Sequence, residues 1–359
     1  MSSWHFEWLT TWEEVWHPAL VKRWQALLDR AQDAHVFATP PLVRAWWQAA
    51  QQVNKIDACF LMARSTDGAT VFMPLVMVRH GIKNAGLRIL QPAGHAEYDY
   101  HDPISHGLSN DQWPNFWEAF EAELSTRWRG TFDRAVIGGL RIRPEREGVE
   151  ISDNAPYLTI GSFSSAEDLL ASLGSSLRGD IRRQLRRLAE VGPVSFRVLQ
   201  PDETETALAW LPEMLVLHAE KWPNSYKLPG FHAALIREAL PAGLLHLSEL
   251  KVDDAVVSRH LGFFHQRRFY WYMPVYNSAY QSYSPGKLHL YFCAVDAIGK
   301  EGNIFDLLRG EEEYKQQWTG QAIELYEVHW RGSASGTSFR LALAESVKPV
   351  LQKLLRCKL

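Results

Sequence analysis

Residues 244–330 constrain this chain more than any other stretch. Within them, residues 255–265 and 269–276 are rich in β-branched and aromatic side chains and are parted by Gln266, Arg267 and Arg268, which predicts two antiparallel strands. A helix start follows, with Ser284 at the N-cap, Pro285 and Gly286 at the first two helical positions and Lys287 next. Leu288, Tyr291, Phe292, Val295 and Ile298 then recur at helical spacing. The helix closes at Gly299 and Gly302, residues 304–306 predict a short strand, and Leu308, Arg309 and Gly310 lead into a polar helix over 311–318. A strand that delivers the chain to a glycine-bearing helix N-terminus builds an anion site. Free backbone N–H groups and the positive end of the helix dipole face the ligand, and Gly286 leaves room for a phosphate, although Pro285 removes one donor. The same four residues also read as a well-capped helix start and nothing more.

The chain has 359 residues, 46% hydrophobic and 22% charged, enough for a large core and for two domains. A formal net charge of -3 argues against a generally nucleic-acid-binding surface and leaves room for a local basic patch. Cys59, Cys293 and Cys357 lie far apart with no pair at metal or redox spacing, the pattern of reduced thiols in a cytoplasm. Cys293, mid-helix among apolar residues, reads as a small buried hydrophobe. The N-terminus lacks a signal-peptide pattern, and no window approaches the roughly 18 consecutive apolar residues of a spanning helix, so a cytoplasmic location is expected. Fifteen Trp either fill cores or offer stacking surfaces for sugars, and their spacing beside other apolar residues favours core.

Earlier in the chain, Thr11 and Glu14 fit a capping box, and strands over 58–64 and 70–78 are joined at Thr66, Asp67 and Gly68. That hairpin resembles the later pair 244–252 and 255–265, joined at Asp253 and Asp254, as if one unit occurred twice. Trp113, Phe116, Trp117, Phe120 and Leu124 mark a helix, and a strand over 132–137 ends at Gly138 and Gly139. This is the helix-then-strand order of 284–306 without its Ser-Pro-Gly-Lys start. The charged, apolar-poor segment 141–154 marks a boundary, giving units 1–150 and 151–330. A linker and an amphipathic helix with Phe339, Leu343, Val347, Val350, Leu351 and Leu354 on one side complete the chain as 331–359.

Two polar clusters stand out. His95, Glu97, Asp99, His101 and Asp102 crowd the segment before Pro103, but their mixed spacing matches no metal motif, and no metal is expected. A helix with Leu177, Ile181, Leu185 and Leu188 on one side carries Arg178, Arg182, Arg183, Arg186 and Arg187 on the other, read here as having no acidic partner before Glu190. Such guanidiniums repel one another, and an anionic partner would relieve them; a solvated face is the plainer reading.

Tyr272, Tyr276, Ser284 to Lys287, Phe305, Asp306, Arg309, Gly310, Tyr314, Lys315 and Trp318, in this order and spacing, resemble the CelD-like acetyltransferases. These are a branch of the GNAT superfamily close to the Fem-type peptidoglycan aminoacyltransferases. The similarity runs from about residue 40 to 318, dense in the last third and thin before it. Asp99, Tyr100, His101 and Asp102 match an Asp-Tyr-x-Asp element that CelD-like proteins carry at a strand end in their first half, and a basic helix at the start of the second domain is common to both families. The resemblance implies an α/β (α+β) chain of two tandem GNAT-like units with mixed, mostly antiparallel sheets. It implies transfer of an acyl group from acyl-CoA, acetyl-CoA first, to an amine or hydroxyl of a sugar or a polysaccharide or envelope precursor.

Within that reading, Tyr276, Ser284, Gly286 and Lys287 hold the donor, and Tyr98, Asp102, Tyr272, Arg309, Lys315 and Trp318 contact the acceptor. The chemistry needs donors for an oxyanion, a base and an acid. The backbone of 272–276 suits the first, Asp99, Asp306 or His260 the second, and Tyr276 or Tyr314 the third. Asp306 reads equally as a structural ion-pair partner and His260 as a satisfied core histidine. The asymmetry between the copies assigns the donor to the later one and the acceptor to residues 99–102. Two alternatives stand beside this. One is a Fem-type enzyme that takes its acyl group from aminoacyl transfer RNA; the arginine helix itself suits transfer RNA, the anionic inner face of a membrane or a lipid-linked diphosphate. The other is a non-enzymatic unit that binds an anionic glycan or a partner protein. No long coiled-coil arm, the mark of many Fem-type enzymes, is visible between the units, which favours acyl-CoA.

Overall fold

The structure is a computed structural model that describes all residues except 1–2, 33, 82–85, 224, 226–227, 345 and 347–359. Trp4, Phe6 and Trp8 alternate with His5 and Glu7, so β1 (Trp4–Leu9) has one face to bury. The Thr11 hydroxyl accepts from Glu14 N–H and the Glu14 carboxylate accepts from Thr11 N–H, the expected reciprocal cap of α1 (Trp12–Val15). Next come α2 (Pro18–Leu28) and α3 (Pro40–Ala50). The hairpin read as two long strands is broken on both arms, into β2 (Lys55–Ala58) and β3 (Phe60–Ser65), then β4 (Thr70–Met73) and β5 (Leu75–Arg79). Pro74 cannot donate a ladder bond, and at that point the hairpin passes from one sheet to another. Its tip joins a four-stranded sheet β1-β3-β4-β7, with β7 (Ile104–His106); its base runs in the order β15-β8-β6-β5-β2. Here β6 is Arg88–Pro92, β8 is Arg134–Leu140 and β15 is Ala322–Arg331.

The chain divides into two compact units, Met1–Ser152 with Leu325–Leu359, and Asp153–Glu324. In the first, α4 (Trp113–Thr126) buries Phe116, Trp117, Phe120 and Leu124 against Trp8, Ile137, Val328 and Trp330. The charged segment 141–154, read as a boundary, contains the point where the two units divide and also the start of β9 (Val149–Thr159), whose first half is mostly exposed.

In the second unit the sheet order is β10-β11-β12-β13-β14-β9. The strands are β10 (Val194–Val198), β11 (Leu245–Val252), β12 (Ala255–His265), β13 (Arg268–Tyr276) and β14 (Ile304–Asp306). Among the described residues of this unit, only β13 and β14 run parallel. The helices are α5 (Ala166–Ser172), α6 (Ser175–Ala189), α7 (Thr204–Lys221), α8 (Phe231–Ala239), α9 (Pro285–Gly299) and α10 (Glu313–Trp318). Leu177, Ile181 and Leu188 of α6 enter the core with Trp271, Leu288, Ala294 and Phe305. The mixed α/β class with mixed sheets is thus as expected. Every one of the fifteen Trp is buried or half-buried, in keeping with a core role for most. No helix of the described residues is long and apolar enough to cross a membrane.

Of the expected C-terminal helix, residues 337–344 are helical, and Val347, Val350, Leu351 and Leu354 lie outside the described residues, as does Cys357. This segment is tied down by Asp133, whose buried carboxylate accepts from Arg88 N–H (2.9 Å), the Thr337 hydroxyl (2.7 Å) and Arg340 Nε (3.0 Å). Burial alone would raise the Asp133 pKa; the hydrogen bonds from Arg340, Thr337 and Arg88 outweigh it and hold the group at about 2. The folded pKa lies below the ordinary carboxylate value, so this stabilisation is complete above pH 4 and is lost as pH falls toward 2. Asp133→Asn is expected to cost about 2–4 kcal/mol, since it leaves two guanidiniums without their shared buried partner. A urea midpoint at pH 7 equal to wild type would contradict this.

Candidate functional site

Along β13, only Arg268, Phe269 and Tyr270 pair with β14. Against β12 the register jumps from Phe263↔Tyr270 to Leu261↔Met273, so Gly262 stands alone where β13 has two residues, Trp271 and Tyr272. An extra residue of this kind bends the strand that carries it. The bend falls where β13 leaves β14, and among the described residues no strand covers that edge from Trp271 to Tyr276. The edge leads through residues 277–283 to the start of α9. There Ser284 is left-handed (φ 53°, ψ 53°) and its side chain caps nothing, unlike the N-cap expected from sequence. Its carbonyl accepts from Lys287 N–H (3.0 Å) and Leu288 N–H (3.2 Å). Pro285 has no N–H, so Gly286 is left as the donor without a partner among the described residues. A Cβ on Gly286 would meet only the Tyr276 ring, at 3.9 Å.

Two features read separately in the sequence adjoin here. The Lys287 ammonium pairs with Asp180 of α6, which also takes Arg183. The reading of α6 as lacking an acid before Glu190 is therefore corrected: Asp180 lies three residues before Arg183, and that spacing is visible in the sequence. Arg187 donates to Ser282 O (3.0 Å) and Gln184 Oε1 (2.9 Å), with its guanidinium 5.1 Å from the Tyr283 ring centroid. Arg182, Arg183, Arg186 and Arg187 are exposed and Arg178 is half-buried. Lys221, at the end of α7, escaped sequence reading; its Nζ stands 4.3 Å from the Trp222 centroid and 5.7 Å from that of Tyr276. Burial lowers the Lys221 pKa against the opposing pull of Glu312.

Other candidates are occupied by the framework. Asp306 is fully buried and accepts from Leu308 N–H (2.9 Å) and Arg268 (2.9 Å), the ion pair foreseen in kind but with a different arginine. Lys315 is buried, with Nζ close to the carbonyl oxygens of Leu308 (3.3 Å), Arg309 (2.7 Å) and Gly310 (3.3 Å) and to Glu312 (2.8 Å). Trp318 lies in the core, and Tyr314, packed beside it, has its pKa raised by burial and then by Glu312. Arg309 is exposed and Tyr272 half-buried.

His260 is fully buried, its ring stacked on Trp271 at 4.0 Å, and its Nε2 accepts from Tyr272 N–H at 3.2 Å. The proton is then on Nδ1, facing Cys293 Sγ at 3.9 Å. The thiol continues to Ser248 (3.6 Å), Ser248 to His289 Nε2 (2.9 Å), and His289 Nδ1 to Ser258 (2.7 Å). Burial lowers the pKa of His260 and brings that of His289 to about 3, so both are neutral. His246, which donates from Nε2 to Asp296 at 2.9 Å, joins His260 and Cys293 in a group whose ligand atoms lie within 4.8 Å of one another. A metal ion on His260 Nδ1 would move the proton to Nε2, head to head with Tyr272 N–H. The chain from His260 through Cys293, Ser248 and His289 to Ser258 is met by hydrogen bonds, whereas His246 Nδ1 is buried without a hydrogen-bond partner among the described residues.

In the first unit, residues 99–102 lie between β6 and β7. Tyr98 is fully buried and donates to Leu42 O (2.7 Å). Asp102 accepts from Arg141 N–H and Nε, both at 2.7 Å; burial alone would raise its pKa, and Arg141 and then His35 bring it below the usual range. Gly139, at φ +68°, passes so close to the Asp99 carbonyl that a Cβ would overlap it. Tyr98 and Asp102 thus serve the framework of that unit, while Asp99 is half-buried.

A parted strand pair beside the start of a helix is the feature on which the comparisons bear. Residues 175–316 match the family described as acetyltransferase (GNAT) domain. That segment holds α6, the parted strands and α9. No curated protein matches the sequence. Among solved structures the chain is similar to FemX, at 9% identity over 90% of this chain and 98% of that one, with a TM-score of 0.63. It is similar too to the C-terminal domain of a putative lysylphosphatidylglycerol synthetase from Agrobacterium fabrum, at 13% identity over 91% and 94%, with a TM-score of 0.53. At these identities the likeness is one of fold.

Within the matched segment, Lys315 holds closed a turn in which Leu308 (φ 60°) and Gly310 (φ 112°) are left-handed. Lys315→Met is expected to destabilise the protein by about 2 kcal/mol or more, because three carbonyls lose their buried ammonium. Unchanged resistance to urea would contradict that and return Lys315 to the list of acceptor contacts.

Proposed function

We propose that the GNAT domain transfers an acyl group from acyl-CoA to an amine or hydroxyl of a sugar or envelope precursor. The observation that carries this reading is the parted β13–β14 edge running to the uncovered Gly286 N–H. In this reading the diphosphate of the donor lies at the start of α9, where the helix dipole and Gly286 N–H face it. Exposed Lys221 and the arginines of α6 add positive charge nearby. The acyl-pantetheine arm lies along Trp271 to Tyr276. The acceptor heteroatom attacks the thioester carbon and the bond to sulfur breaks; the thiolate takes a proton from the Tyr276 hydroxyl, to which we assign that role, and the proton released by the acceptor restores that hydroxyl through solvent. The buried His260 and Asp306 are not offered as the base.

A second reading takes the acyl group from aminoacyl transfer RNA, and what favours it is α6, whose exposed arginines adjoin the start of α9. Calorimetry with CoA and acetyl-CoA is expected to give micromolar to millimolar affinity, lowered about tenfold or more in Gly286→Glu, which puts bulk and negative charge where phosphate sits. Absence of binding by the wild type, or unchanged binding by the variant, would sink the first reading. Transfer RNA binding that falls steeply with salt and is lost on replacing Arg182 and Arg186 by Ala would promote the second.

A further inference from the structure

We infer that His260, which the reaction does not use directly, is the positioning residue that sets the edge on which the acyl donor lies. The inference rests on the acyl-CoA reading and adds to it the control of the donor arm. At the bulge, one residue of β12 faces two of β13, so ladder pairing cannot serve both peptides there. The Tyr272 N–H is instead held by a side chain, His260 Nε2, at 3.2 Å. His260 has no freedom to do otherwise. Its ring is fixed by Trp271 at 4.0 Å, and its other nitrogen faces Cys293 at the head of the buried chain through Ser248, His289 and Ser258.

Gly262 completes the device, because a Cβ there would overlap both the His260 ring and the Tyr270 carbonyl oxygen. Its neighbour across the strand pair is the bulge itself, so the sequence His260, Leu261, Gly262 places an acceptor and the space for it together.

The consequence follows from the planar peptide. With Tyr272 N–H directed at His260, the Trp271 carbonyl of the same peptide points the opposite way, as an acceptor for an amide N–H of the pantetheine arm. Further along, Asn277 N–H reaches Val257 O, so by strand alternation the Tyr276 and Pro274 nitrogens face the uncovered edge, and Pro274 has no hydrogen to give. Few backbone groups are therefore available on this edge, and their direction depends on how the Trp271–Tyr272 peptide is held.

The test compares the wild type with His260→Phe, which keeps a ring on Trp271 but no acceptor, and His260→Gln, which restores one. Amide hydrogen exchange at Tyr272 is read on each, with calorimetric affinities for acetyl-CoA and for 3′-phospho-ADP, which lacks the pantetheine arm. Exchange at Tyr272 is expected to quicken about tenfold in the Phe variant and to recover in the Gln variant. Acetyl-CoA affinity should fall about tenfold in the Phe variant alone, with 3′-phospho-ADP affinity within about twofold throughout. Equal exchange at Tyr272 in all three proteins overturns the inference, and so does an equal loss for both ligands, which marks a merely structural effect. A wild type that binds neither ligand removes the acyl-CoA reading instead, and the exchange comparison still decides whether His260 holds Tyr272.

Discussion

A strand whose backbone is satisfied on one side for its whole length, and on the other for three residues, sets up everything else in the second unit. β13 pairs with β12 on both sides of the bulge at Trp271 and Tyr272, but with β14 only over Arg268 to Tyr270. An uncovered row of peptide groups inside a domain is costly unless something else meets it. The bulge at Trp271 and Tyr272 produces the parting, His260 satisfies the peptide that the bulge strands, and the start of α9 lies at the far end of the open edge. Buried polar groups that elsewhere would weaken a core are here fully used in turn, from Tyr272 through His260, Cys293, Ser248 and His289 to Ser258.

Charge around the start of α9 is balanced rather than simply accumulated. Lys287, the motif's own cation, is held by Asp180, while the exposed guanidiniums of α6 and the Lys221 ammonium remain facing solvent. An anion arriving there meets a helix end with one donor unpartnered among the described residues and exposed cations about it, so that its charge is met without a large cost in buried charge.

Much of the local structure was legible because it is written in periodicity and caps. The capping box at Thr11, the apolar faces of α4, α6 and α9, and strands β11 to β13 all follow from spacing along one segment. What was not legible depends on partners far apart in sequence. Asp102 looked like an acceptor contact until Arg141, 39 positions on, was seen to occupy it. Tyr98 looked available until its hydroxyl was found on Leu42, and Lys315 until three carbonyls enclosed it. Pro74 is the reverse case: its missing N–H was plain in the sequence and explains why the first hairpin passes between two sheets, yet a continuous apolar run concealed the break. Asp180 is legible in the sequence three positions before Arg183, although five arginines dominate the helix in which it sits.

The central claim is that the donor's diphosphate rests on the start of α9 and its arm on the open edge of β13. Its most direct test is a titration of labelled protein with CoA, following the backbone amide resonances of Gly286 and of Trp271 to Tyr276. The account expects Gly286 and the edge amides to shift together and saturate at one concentration of CoA. Saturable shifts confined to residues outside 271–276 and 284–288 would contradict it.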